Sequence, residues 1–141
     1  MITRVSHMTL YVDDQAKAYD IYVHKLGFRV TNDTTLEGGL RWLTVSPPGQ
    51  PELEILLAEA KEPMIGVEMV PHFRALLAGN SMGGAVLECD DCRATYEDLK
   101  SKGIEFTKPP TKEFYGIEAL FTDGCGNWFS LTEHPEALER S

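Results

Sequence analysis

Long apolar stretches are missing from this 141-residue chain: runs such as Ile55-Leu56-Leu57-Ala58 fall far short of the ~20 residues that a membrane-spanning helix requires. Basic residues are also scarce. Thirteen Lys and Arg stand against 22 Asp and Glu, a formal net charge of −9, and no segment gathers its cations into a patch able to neutralise phosphates. Neither nucleic acid nor an anionic membrane surface is therefore expected as a partner. Cysteine is sparse and odd in number, with Cys89, Cys92 and Cys125 giving no disulfide framework, so reduced thiols are expected. The opening Met1-Ile2-Thr3-Arg4-Val5 lacks a signal-peptide apolar core, and a cytoplasmic location follows as the expectation. What is present is an ordinary globular composition, 43% apolar and 25% charged, at a length suited to one domain and too short for a separate cofactor domain.

The chain repeats itself. Residues 10–19, L-Y-V-D-D-Q-A-K-A-Y, lie over residues 87–96, L-E-C-D-D-C-R-A-T-Y, with Leu10/Leu87, Asp13/Asp90, Asp14/Asp91 and Tyr19/Tyr96 identical at an offset of 77. Gly27-Phe28 then falls on Gly103-Ile104 at an offset of 76. Each copy predicts the order β-α-β-β-β. In the first, alternation from Val5 to Val12 predicts a strand, Asp13-Asp14 a helix N-cap, and Ala16, Tyr19, Val23 and Leu26 an inward helical stripe that Gly27 ends. Strands follow over 28–34, 40–46 and 52–58, separated by Glu37-Gly38-Gly39 and by Pro47-Pro48-Gly49-Gln50-Pro51. The second copy predicts strands over 85–89, 105–108, 117–122 and 128–133 and a helix from about Cys92 to Lys102 with Tyr96 and Leu99 inward. Pro109-Pro110 and Gly124-Cys125-Gly126-Asn127 read as its turns. One domain over 1–141 is thus expected to divide into module 1 (about 3–58), an aperiodic linker or flap (59–82), module 2 (about 83–133) and a short charged tail (134–141).

A four-stranded sheet with one helix buries one face against that helix and leaves the other free to line something. Alternation turns Leu43, Val45, Leu53, Ile55, Leu57, Phe129 and Leu131 to the helix side. The free faces then carry His7, Thr9, Tyr11, Trp42, Thr44, Glu54, Gly84, Val86, Glu88, Trp128, Ser130 and Thr132. A cavity lined by His7, Tyr11, Trp42, Glu54, Glu88, Trp128 and Ser130 would suit a small ligand with aromatic or apolar bulk, and Glu54 and Glu88 would disfavour an anion there.

The paired β-α-β-β-β modules, the opening S-H-M-T-L-Y-V-D-D with its helix ending K-L-G-F, and the closing D-G-C-G-N-W-F-S-L resemble the vicinal oxygen chelate superfamily. That group holds glyoxalase I, the bleomycin-resistance proteins and the extradiol dioxygenases. The resemblance spans roughly residues 3–133. It implies an α+β fold in which two βαβββ modules form curved mixed sheets around a cavity, and a homodimer whose facing modules share that cavity. It also implies binding of a small, partly apolar or aromatic molecule, to sequester or to sense it. The alternative is a metal-dependent lyase/isomerase of the glyoxalase I kind or a ring-cleaving dioxygenase, using a divalent Ni, Zn, Mn or Fe ion. The family's metalloenzymes take ligands from the first and last strand of each module. His7 and Glu54 match in module 1, whereas Gly84 and Ser130, at offsets of 77 and 76, stand where module 2 would supply the other two.

A catalytic metal needs about three protein ligands and an open position. His7 and Glu54 supply two, and the remaining candidates, Glu88 and His72, stand off the family's positions, so no complete metal site is expected. Glu54 lies between Leu53 and Ile55, where a buried carboxylate must be paired, metal-bound or solvated in a cavity. A hydrogen bond to His7 is the simplest pairing, and burial would suit Glu54 to act as a general base. Cys89-Asp90-Asp91-Cys92 has C-x-x-C spacing, but the two intervening carboxylates disfavour thiolates, which leaves a thiol-redox module the weakest reading.

Overall fold

The computed structural model describes residues 1–135; of the predicted tail, 136–141 lie outside the described residues. The first module runs β1 (His7–Val12), α1 (Gln15–Tyr19), β2 (Arg29–Thr35), β3 (Arg41–Ser46) and β4 (Glu54–Glu59). After α2 (Val70–Ala78), the second runs β5 (Met82–Glu88), α3 (Cys92–Ser101), β6 (Glu105–Glu113), β7 (Gly116–Thr122) and β8 (Asn127–Glu133). Two four-stranded mixed sheets result, in the orders β1-β4-β3-β2 and β5-β8-β7-β6, with the first and last strands of each module parallel and the other pairs antiparallel. Among the described residues no closed barrel forms.

The repeated acidic residues start both helices in the same way. Asp14 and Asp91 accept hydrogen bonds from Lys17 N and Ala94 N, each at 3.0 Å, so each satisfies one of the amides left free in the first helical turn. Glu59 and Glu133, at the ends of β4 and β8, accept from Gln15 N at 3.0 Å and Cys92 N at 2.9 Å. Each helix is thereby tied to the last strand of its own module.

Both helices and the helix-side faces of both sheets share one core. Leu10, Val12, Tyr22, Leu43, Val45 and Leu57 of the first module are buried together with Leu99, Ala119, Phe121, Phe129 and Leu131 of the second. The Tyr22 ring meets Phe129 edge-on with centroids 6.2 Å apart, and its hydroxyl donates to Asp123 Oδ2 at 2.5 Å. Asp123 also accepts from Cys125 N and from Asn127 N and Nδ2, while Asn127 Nδ2 reaches Tyr11 O at 2.8 Å. Because the modules of one chain meet through their helix sides, the opposite sheet faces turn outward, away from this core.

Three local expectations are corrected. In the first helix Tyr19, Val23 and Leu26 pack against the core as expected, but Ala16 is exposed and the fully buried positions are Gln15, Ala18 and Tyr22. Beyond Tyr19 the helix widens into a π-turn over Asp20–Lys25, closed by Leu26 N to Ile21 O at 2.8 Å. Pro109-Pro110 does not end β6; the strand passes through both prolines at a shift in register, which an edge strand tolerates because its outer amides need no partner. The linker, expected to be aperiodic, holds the nine-residue α2. Its start is preset by Pro71, and its packing comes from distant residues: Phe73 meets the Tyr11 ring edge-on at 5.1 Å, and buried Leu77 sits against Gly126.

Candidate functional sites on the outward sheet faces

On the first sheet, the parallel pairing of β1 with β4 sets His7 directly beside Glu54. His7 Nε2 lies 2.9 Å from Glu54 Oε2, and Nδ1 lies 3.0 Å from Ser6 Oγ. Thr44 Oγ1 donates to Glu54 Oε1 at 3.3 Å and is itself 2.6 Å from Thr31 Oγ1. Glu54 keeps 31% of its side chain exposed and His7 46%, so in the single chain the pair sits on an open surface. Trp42 shares this sheet and is half-buried. Tyr11 is less free: its ring is covered by Phe73, and its hydroxyl donates to Met64 O at 3.4 Å.

The second sheet carries an ionic network on its outward face. Glu118, on β7, accepts from Ser130 Oγ at 2.6 Å, Tyr115 Oη at 2.6 Å and Lys108 Nζ at 2.9 Å. Lys108 also bonds Glu113 at 2.8 Å, and Ser130 Oγ lies 2.7 Å from Thr132 Oγ1. Burial alone would raise the Glu118 carboxyl, but these three donors outweigh it and pull it down to about 2. The two bonds to carboxylates push the Lys108 ammonium upward. Trp128, 45% exposed, lies at the other end of β8 from this network, against Gly83. None of Lys108, Glu113, Tyr115 or Glu118 stands out in the sequence reading, yet the signal was available. Glu118 interrupts the apolar strand I-E-A-L-F just as Glu54 interrupts L-E-I-L-L.

The strand registers correct one equivalence. Leu10↔Leu57 in the first module corresponds to Leu87↔Leu131 in the second, and Tyr11↔Ala58 to Glu88↔Thr132. The first strands therefore differ by 77, as expected, but the last strands differ by 74 and not 76. The helix-capping pair Glu59 and Glu133 obeys the same offset of 74. Ser130 is thus the counterpart of Leu56, and Glu54 that of Trp128. Neither assignment puts a second carboxylate in module 2. At Gly84, β5 is bulged, and an added Cβ would strike the Phe129 ring on the helix side. His72 is exposed on α2, and among the described residues no group of three or more His, Cys, Asp or Glu side chains stands close enough to hold a metal ion. The family metal positions therefore offer His7 and Glu54 and no third donor.

Glu88 lies elsewhere. It lines a cleft of about 610 Å³ between the end of the first helix, the β3–β4 turn, β5 and α3, a cleft that His7, Tyr11, Trp42, Glu54, Trp128 and Ser130 do not line. Cys89 shares that cleft, and burial pushes its thiol up to about 12, far from the thiolate that redox chemistry requires. Burial raises the Cys92 thiol as well. No helix among the described residues is long and apolar enough to cross a membrane.

Paired βαβββ modules, with a His–Glu pair on one outward sheet face and an ionic network on the other, define a protein of the glyoxalase and bleomycin-resistance architecture. The chain belongs to the Glyoxalase/Bleomycin resistance protein/Dioxygenase superfamily, whose model matches residues 4–131. It is 36% identical over 133 residues to an uncharacterised protein of Shewanella frigidimarina (strain NCIMB 400), covering 92% of both chains. Among solved structures it resembles UcmS2, with 45% identity, a TM-score of 0.88 and coverage of 94% of this chain and 98% of that one. It also resembles TnmS3, an antibiotic binding protein from Streptomyces sp. CB03234, with 28% identity, a TM-score of 0.73 and coverage of 94% and 97%.

Proposed function

We propose that this protein binds a small, partly apolar or aromatic molecule on its outward sheet faces, in the cytoplasm, without a complete metal site, so as to sequester or sense it. The observation that carries this reading is the packing of both modules of one chain through their helix sides. That packing leaves His7, Glu54 and Trp42 of one face and Val86 and Trp128 of the other turned outward. In a homodimer, the first module of one protomer would face the second module of its partner and close a cavity between the two faces. The likeness to an antibiotic binding protein supports a ligand of drug size, which in such cavities is held by apolar walls and a few polar groups.

The lyase/isomerase or dioxygenase alternative rests on His7 and Glu54 as two retained ligands, 2.9 Å apart. Among the described residues no third donor joins them. Glu54 as a general base belongs to that alternative. Titrating a panel of polycyclic aromatic compounds into the protein while following tryptophan fluorescence tests binding. A saturable change that shrinks in W42F or W128F supports the reading, and indifference of both variants to every bound compound contradicts the proposed lining. Size-exclusion chromatography with light scattering tests the dimer, and a monomer at binding concentrations contradicts the shared cavity.

A further inference from the structure

The two modules are related by the repeat, but the contacts that close them onto each other are not. After β7 comes Asp123, which receives the Tyr22 hydroxyl and two backbone amides and seals the β7–β8 turn against the first helix. At the corresponding place after β3 stands Pro47, and the counterpart of Tyr22, at an offset of 77, is Leu99. Neither carries a group that could make such a bond. The β3–β4 turn, Pro47 to Gln50, therefore stands off from β5 and α3, and the gap is the cleft of about 610 Å³. Its floor is apolar, formed by Phe28, Leu87, Leu99, Phe121 and Leu131.

Two cations stand on its rim, Lys25 and Lys102, which are themselves counterparts in the repeat. Lys25 reaches from the first module to the end of α3. Its Nζ lies 3.6 Å from the point a Cβ on Gly103 would occupy, next to Lys102. Lys102 is neutralised by Asp98 at 3.0 Å, whereas the carboxylate that pairs with Lys25 is Asp20, at 4.0 Å. Glu88 is the remaining acid of the lining, and among the described residues no ion pair forms on it. An acidic ligand would point away from Glu88 and toward Lys25.

We propose that this cleft is a second ligand site, distinct from the His7–Glu54 and Glu118 surfaces, that takes a compact aromatic acid with its ring on the apolar floor and its carboxylate at Lys25. The volume falls within the roughly 300–1,000 Å³ of small-molecule sites. The site does not depend on the ligand proposed for the outward faces.

The test is 1H–15N correlation spectroscopy of the full chain titrated with 2-naphthoate and, separately, with 2-naphthamide. Saturable shifts confined to the amides of 25–28, 49–50, 95–102 and β5, with submillimolar affinity, are expected. K25E should weaken naphthoate by about fivefold to tenfold, and the neutral amide should bind the wild type with a similar deficit. Shifts confined to His7, Glu54 and Ser130 and their neighbours, or no saturation, would overturn the site. Equal affinity for acid and amide, unmoved by K25E, would overturn the ligand class. A cleft occluded by a second copy of the chain gives no shifts at these amides, and so counts against the proposal.

Discussion

Replacing Tyr22 with Phe isolates the bond that joins the two modules. The ring is buried, so Phe keeps its packing on Phe28 and Phe129 and removes only the hydroxyl that donates to Asp123. A hydrogen bond to a charged group contributes about 1.5–3 kcal/mol, and Asp123 retains three other donors, so a loss of about 2 kcal/mol is expected. For a domain of this size that lowers Tm by roughly 6–10 °C, read by calorimetry at fixed protein concentration because any dimer makes Tm concentration-dependent. Asp123→Asn should cost more, since its amide would face donors it cannot accept from. Burial first, and the Asp123 charge next, hold the Tyr22 phenol well above its usual value of 10.0. A group raised on folding contributes stability below its unfolded value and loses it as pH rises toward the folded one, so wild type should lose stability above about pH 10 and Y22F less steeply. A Tm change under about 2 °C in Y22F, with an unaltered alkaline limb, would refute the clamp.

Glu118 is lowered from 4.5 to about 2, so its contribution is complete above about pH 4.5 and is lost as pH falls toward 2. E118Q should be less stable at neutral pH and show a flatter acid limb in denaturant titrations, and identical acid limbs would contradict the network. Gly126 has φ of +114°, and a Cβ there would lie 2.7 Å from Leu77 Cα. G126A should therefore cost about 2–4 kcal/mol in chemical denaturation and release α2 from the β7–β8 turn, seen as faster amide exchange over residues 73–78. W128F should be nearly neutral for stability, because the indole is 45% exposed, while lowering affinity for an aromatic ligand of the outward faces. A destabilisation beyond about 1 kcal/mol would place Trp128 in the core instead.

Most of the fold is legible in the sequence because its signals are local and repeated. Asp13-Asp14 and Asp90-Asp91 mark both helix starts, strand alternation assigns Leu43, Val45, Leu57, Phe129 and Leu131 to the core, and the offset of 77 pairs the modules. The failures need contacts across long sequence distances. Tyr22 in the first helix is buried against Asp123 of the other module, and α2 packs on Tyr11 and Gly126. At the sites, the His7–Glu54 pair follows from two strand residues and was readable. The counterpart of Glu54 was not, since the two last-strand turns differ in length and only the ladder registers reveal the offset of 74. The Glu118 network was hidden for a similar reason: Lys108 reaches it through an irregular edge strand whose prolines imitate a turn.

Metal analysis joined to ligand titration tests the central claim most directly. Freshly purified, untagged protein and the same protein after chelation should carry Ni, Zn, Mn and Fe well below one equivalent. They should bind an aromatic ligand that quenches the tryptophans with the same affinity, within about twofold. Stoichiometric metal that disappears in E54Q, together with ligand binding that requires the metal, would contradict the account and make His7 and Glu54 ligands of a metalloenzyme.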